Sequence, residues 1–180
     1  MIGPTTRTAW LALSAVVTAS TANVMADDGQ VRLRSDGTLA IQRLDGGRAS
    51  LADFAGRAVL LTVWATWCWS CRQEMPALAR LNRQWKGRPL AIIALSIDRE
   101  GAEVVRPLIN ELGVGDLAVY LDPQGEVVRR YSVSGLPTTI LLGSDGLERR
   151  RWYGARAWDD PTAVQEIASL LAVEPNKVTP

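Results

Sequence analysis

Ala58-Val59-Leu60-Leu61-Thr62-Val63-Trp64-Ala65-Thr66-Trp67-Cys68-Trp69-Ser70-Cys71 decides how the rest of the chain is read. Its first eight residues are almost continuously apolar, the pattern of a strand buried on both faces of a sheet. Residues 69–85 then predict a helix, with Met75, Leu78, Leu81 and Trp85 along one face. The only two cysteines fall where strand hands over to helix. Residues three apart are neighbours on a helix, so the two sulfurs can reach disulfide geometry. Cys68 should stand at or just before the helix N-terminus, where free N–H groups and the helix dipole favour a thiolate. Cys68 is thereby the better nucleophile, and Cys71 is placed to resolve a mixed disulfide.

Upstream, residues 39–44 predict a strand ending at the turn Asp45-Gly46-Gly47, and residues 51–56 a short helical turn. Downstream, residues 90–97 read as a second buried strand. Val104, Val105, Leu108, Ile109 and Leu112 mark an amphipathic helix that Gly113 can end. Residues 118–121 form a short strand before the turn Asp122-Pro123-Gln124-Gly125, with a short helix at 126–131. A hairpin over 139–142 and 147–153 turns at Gly143-Ser144-Asp145-Gly146. Asp160 can cap a last helix whose first position suits Pro161 and whose apolar face is Val164, Ile167, Ala168 and Leu171. The order is that of an α/β domain: a mixed central β-sheet flanked by helices, with a short N-terminal β extension.

The 180 residues are 47% hydrophobic and 22% charged, which suits one ordinary domain with a real core. Arg7, the small apolar run 9–22 and Val24-Met25-Ala26 read as a secretory signal over residues 1–26, with an uncleaved anchor as the alternative. The run is short for a membrane span and is diluted by Thr18, Ser20, Thr21 and Asn23. The expected organisation is therefore signal 1–26, N-terminal extension 27–38, domain 39–173 and flexible tail 174–180, with membrane contact only if the signal is retained. Removing 1–26 takes away one base and no acid and leaves a net charge of zero. No basic field gathers nucleic acid or anionic lipid. Arg149-Arg150-Arg151 reads as a solvated strand or hairpin edge.

Other chemistry for the cysteine pair is limited. A purely structural disulfide would close a very small loop, where the gain in stability is least. Zinc needs about four ligands, and the chain has two Cys and no His. The lack of His also removes a Cys–His protease. Soft thiolates permit Cu(I), so copper handling stands as the alternative to thiol–disulfide exchange.

Val63-Trp64-Ala65-Thr66-Trp67-Cys68-Trp69-Ser70-Cys71-Arg72-Gln73-Glu74-Met75-Pro76 resembles the active-site segment of the TlpA/ResA-type thioredoxin-like proteins. These are extracytoplasmic thiol–disulfide oxidoreductases of bacteria, including those that serve cytochrome c maturation. The likeness runs from about residue 39 to 171. Gly135-Leu136-Pro137-Thr138-Thr139 resembles the family's second landmark, a cis-proline loop facing the cysteines. By that resemblance Leu136, Pro137 and Thr138 dock the substrate chain. Glu74 matches an acidic position of this group. If buried it can exchange a proton with Cys71 or tune its pKa; otherwise it is a solvated glutamate favoured by the dipole. Pro76 is expected to bend its helix. Trp67 is expected over the active-site rim and Trp69 exposed toward a partner, with Trp64 and Trp85 in the core.

Two positions depart from the pattern. Ser70 stands where many relatives have proline before the second cysteine. Thr62 stands where cytosolic thioredoxin has a buried acid, which leaves Glu74 as the nearest candidate acid. The resemblance implies a thioredoxin-like fold and a periplasmic protein that reduces disulfides of specific exported proteins. Its electrons would come from a membrane-bound thiol reductase. It implies no metal and no cofactor beyond the redox-active disulfide Cys68–Cys71. A thiol peroxidase on the related peroxiredoxin fold is a further alternative, but that family places its reactive cysteine differently.

Overall fold

The computed structural model describes residues 39–172; the expected signal, the 27–38 extension, position 173 and the tail lie outside the described residues. In chain order the elements are β1 (Ala40–Arg43), β2 (Arg48–Ser50), a 3-10 turn (Leu51–Phe54), β3 (Ala58–Trp64) and α1 (Trp69–Gln84). There follow β4 (Leu90–Ser96), α2 (Ala102–Glu111), β5 (Ala118–Leu121), α3 (Glu126–Arg130), β6 (Thr138–Leu142), β7 (Glu148–Tyr153) and α4 (Pro161–Ala172). Among the described residues no helix is long and apolar enough to cross a membrane.

The strands form one mixed sheet in the order β2-β1-β5-β4-β3-β6-β7. β3, β4 and β5 run parallel, and each parallel link is made by a helical crossover, α1 and then α2. β6 pairs antiparallel with β3, and the β1–β2 hairpin extends the other side through β5. This hairpin, at the start of the expected 39–173 domain, is the short β extension of the sheet. β3 and β4 bury every residue, as central strands covered on both faces must.

The pleat of β3 divides the core in two. Leu60 and Trp64 join Leu78, Leu81, Val105, Trp158 and Ile167 in a cluster that draws on α1, α2 and α4. Val59, Leu61 and Val63 join Val127, Tyr131, Ile140 and Leu142 in a second cluster with α3. Trp64 and Trp85 lie in the first cluster, as expected. α1 continues through Pro76 to Gln84. The run Arg149-Arg150-Arg151 lies on β7, which among the described residues pairs only with β6 and so forms a sheet edge. Arg149 pairs with Asp145 and Arg151 with Glu148, leaving a charged border that discourages strand addition.

The start of α4 is built as the sequence suggests. Asp160 Oδ1 accepts from Thr162 N–H at 2.9 Å, with Pro161 in the first position of α4. The Asp122 carboxylate accepts from Glu126 N–H and Val127 N–H at 2.8 and 3.0 Å and so opens α3. Burial raises its pKa against the lowering effect of those same bonds.

Thr62 is directly opposite Thr139 across β3 and β6, and the two buried hydroxyls bond at 3.0 Å. One hydroxyl therefore satisfies the other in the middle of an apolar sheet. Thr62→Val alone should destabilise the fold by about 1–3 kcal/mol, because Thr139 is left without its partner. The double substitution Thr62→Val, Thr139→Val should recover most of that loss. A double-mutant cycle by denaturant unfolding measures the coupling.

Candidate active site

β3 ends at Trp64, and after the four residues 65–68 α1 begins at Trp69. The turn 65–68 is closed by Cys68 N–H donating to Ala65 C=O at 3.2 Å. Cys68 then has an extended backbone (φ −85°, ψ 103°) and is the N-cap of α1. Its Sγ accepts from Cys71 N–H at 3.3 Å, so the sulfur itself fills the capping role. The Ser70 hydroxyl lies 3.6 Å from the same sulfur. Cys68 and Cys71 are joined as a disulfide with Cα atoms 5.2 Å apart. Cys71 is wholly enclosed and Cys68 keeps 8% of its surface. Attack by or upon the pair must therefore pass through Cys68.

The loop before β6 stands against this sulfur. The Leu136–Pro137 peptide bond is cis. Trp67, Cys68, Ile97, Val128, Val133 and Leu136 line one groove of about 460 Å³, which among the described residues has no charged side chain in its wall. Pro137 and Thr138 are buried. The Thr138 hydroxyl donates to Gly135 C=O at 2.6 Å, so its side chain closes the loop. Pro137 C=O accepts from Gly154 N–H at 2.9 Å, which ties the loop to the end of β7. Of the residues expected to dock substrate, the groove thus unites Trp67 and Leu136 with Cys68. Trp69 lies outside the groove wall and is 69% exposed; Trp67 is 70% exposed.

Glu74 shares the buried face of α1 with Cys71, one turn further on. Its Oε2 accepts from Trp158 Nε1–H at 3.0 Å and from Arg156 N–H at 3.1 Å. Oε1 is buried without a hydrogen-bond partner among the described residues. Burial pushes the carboxyl up to about 7, against the lowering effect of the bonds from Trp158 and Arg156. Of the two readings of Glu74, the structure has the buried one. Its cover is the segment after β7. Gly154 turns the chain there with φ +82°, a conformation that glycine adopts without strain. Trp158 then packs edge-on against Trp152 with ring centroids 5.3 Å apart. The Arg156 guanidinium lies over both rings at 5.5–5.6 Å and donates to Glu166 at 2.6 Å.

Trp158 and Arg156 are absent from the sequence reading of the site. So is Asp98, just beyond β4, which is 1% exposed. Its carboxylate accepts from Thr66 N–H at 2.9 Å, Thr66 Oγ1–H at 2.7 Å and Ser96 Oγ–H at 2.7 Å. The only sequence signal for either group is an unusual residue type in its place: a tryptophan in a polar loop, and an acid after a buried strand.

The family model described as AhpC/TSA family matches residues 36–149, a span that holds both cysteines and the cis-proline loop. Thiol-disulfide oxidoreductase ResA of Bacillus thuringiensis subsp. konkukian is 36% identical over 103 residues, covering 57% of this chain and 58% of that protein. The chain thus spans less than two thirds of that relative's length. ResA of Oceanobacillus iheyensis is 33% identical over 141 residues, 74% of this chain and 71% of the relative. Among solved structures, a putative thiol:disulfide interchange protein DsbE from Chlorobium tepidum matches with a TM-score of 0.66 and 26% identity. That match covers 73% of this chain and 92% of the other. The chain belongs to the AhpC/TSA family, among its ResA-type thioredoxin-like members.

Proposed function

We propose that the chain is an extracytoplasmic thiol–disulfide oxidoreductase that reduces disulfides in specific exported proteins. The observation that carries this reading is the Cys68–Cys71 disulfide at the N-cap of α1, with only Cys68 open to a groove against a cis-proline loop. In the reduced state the Cys68 thiolate attacks one sulfur of a substrate disulfide. The substrate S–S bond breaks, its other sulfur leaves as a thiolate that takes a proton, and a mixed disulfide forms on Cys68. Cys71 then loses its proton and attacks Cys68 Sγ, which releases the second substrate thiol and leaves the Cys68–Cys71 disulfide. Two electrons have passed from chain to substrate. A membrane-bound thiol reductase returns them.

The substrates in this reading are proteins such as those of cytochrome c maturation or metal-site assembly, docked along Trp67, Leu136 and the loop around Pro137. Exposed Trp69 adds contact at the rim. Glu74 takes the Cys71 proton during resolution; its place on the same buried helix face and its free Oε1 support that role. The reductive direction and the site outside the cytoplasm rest on the resemblance to ResA-type proteins and on the signal-like residues 1–26.

Cys71→Ala should leave Cys68 holding mixed disulfides that mass spectrometry identifies, whereas Cys68→Ala should hold none. If Cys68 in the Cys71→Ala protein stays reduced and accessible in cells yet captures nothing, thiol exchange is not the function.

Glu74→Gln should slow resolution of a preformed mixed disulfide by about a hundredfold and remove its rise with pH near 7. Stopped-flow release of the substrate thiol reads this directly.

The raised carboxyl also sets a stability window. The folded state holds this proton more tightly than the unfolded chain, so stability should fall as pH rises from about 4.5 to about 7 and then level off. The loss is on the order of 3 kcal/mol. Glu74→Gln should remove this slope in denaturant titrations of the oxidised protein. Trp158→Phe, which deletes a donor to the carboxylate, should move the window upward.

A further inference from the structure

We infer that Asp98 is a positioning residue that biases the Cys68–Cys71 pair toward its disulfide form, acting through the turn 65–68. The inference rests on the oxidoreductase reading and extends it to a residue outside both active-site motifs.

The geometry is that of a clamp. Thr66 is the second residue of the turn that Ala65 C=O and Cys68 N–H close. Both of its polar donors, the backbone N–H and the hydroxyl, bond to the Asp98 carboxylate, 32 residues away in the chain. The carboxylate is held in turn by the Ser96 hydroxyl, and Ser96 Oγ accepts from Asp98 N–H at 3.1 Å. Next to it, Ile97 N–H donates to Trp64 C=O at 3.0 Å. The end of β4 therefore grips the chain on both sides of Ala65, just before the nucleophile.

Two physical effects follow, and they have the same sign. A turn already held in place has less freedom to lose when Cys71 closes on Cys68, so the effective concentration of one sulfur at the other is higher. The buried carboxylate is also bonded to Thr66, two residues before Cys68, and a negative charge held there disfavours a thiolate. The thiolate exists only in the reduced state. Order in the turn and the charge bonded to it thus both favour the disulfide, which makes the dithiol a stronger electron donor. A carboxylate that merely joined two loops would leave this balance where it is.

The test is an equilibrium of the full chain with glutathione. Two glutathione thiols give two electrons and two protons to the Cys68–Cys71 disulfide, yielding the dithiol and one glutathione disulfide. The dithiol fraction is read by alkylation and mass spectrometry, and folding of each variant by circular dichroism. Asp98→Asn keeps the shape and removes the charge. It should shift the equilibrium toward the dithiol about tenfold, roughly 30 mV. Thr66→Val keeps the carboxylate and the backbone bond; it should shift the equilibrium the same way by about threefold, while Thr66→Ser stays within about twofold of the unsubstituted protein. A folded Asp98→Asn protein that equilibrates unchanged, or moves toward the disulfide, overturns the inference. Should Asp98→Asn not fold, an unchanged equilibrium in Thr66→Val overturns it equally. Failure of the unsubstituted pair to exchange at all would sink the oxidoreductase reading as well, so the two failures are distinct.

Discussion

The first N–H groups of a helix have no partner within the helix and take acceptors from outside it, and at α1 one of those acceptors is a sulfur. Cys68 Sγ receives the Cys71 N–H at the point where a wholly buried strand gives way to α1. The bond makes the two cysteines unequal before any substrate arrives. The capping sulfur must sit at the open end of the helix, and the residue three positions on must turn inward. Exposure follows that rule, with Cys71 enclosed and Cys68 partly open. Replacing the cap by serine would satisfy the helix and end the chemistry, so the constraint on structure and the constraint on reactivity meet in one atom.

Everything else at this end of the sheet serves or covers that junction. Parallel strands joined by helical crossovers bring their outgoing loops to one edge. The loop after β3 carries the cysteines, the loop after β4 carries Asp98, and the antiparallel β6 brings Pro137 alongside. Glu74 enters from α1 itself, but its environment is made by the segment between β7 and α4. Four separate stretches of chain thus set the surroundings of one disulfide. Only the stretch that contains the cysteines is local in sequence.

That division explains what could be read from the residues alone. The strands and helices were legible because apolar periodicity repeats over many residues: seven apolar positions out of eight in 58–65, or Val105, Leu108 and Ile109 on α2. The cysteine pair was legible because spacing and strand–helix position coincide. Trp158 and Asp98 were not, because each acts through one or two hydrogen bonds to a partner 84 or 32 residues away, and such bonds leave no periodic trace. Glu74 was recognised as an acid worth weighing, yet its burial depends on a segment about 80 residues downstream. Thr138 shows the reverse case. The expected cis-proline loop is present, but the threonine side chain turns inward to Gly135 and leaves the groove wall to Leu136.

The uncharged wall of the groove has a consequence for the conditions in which the protein can work. Attraction between charges on a surface weakens as ionic strength rises, whereas apolar contact and main-chain hydrogen bonding are little affected. In the proposed function, this wall would bring shape and apolar contact to an encounter at Cys68 and no electrostatic capture of its own. For a protein proposed to act outside the cytoplasm, where the salt content follows the surroundings of the cell, such a groove holds its affinity steady while the medium changes.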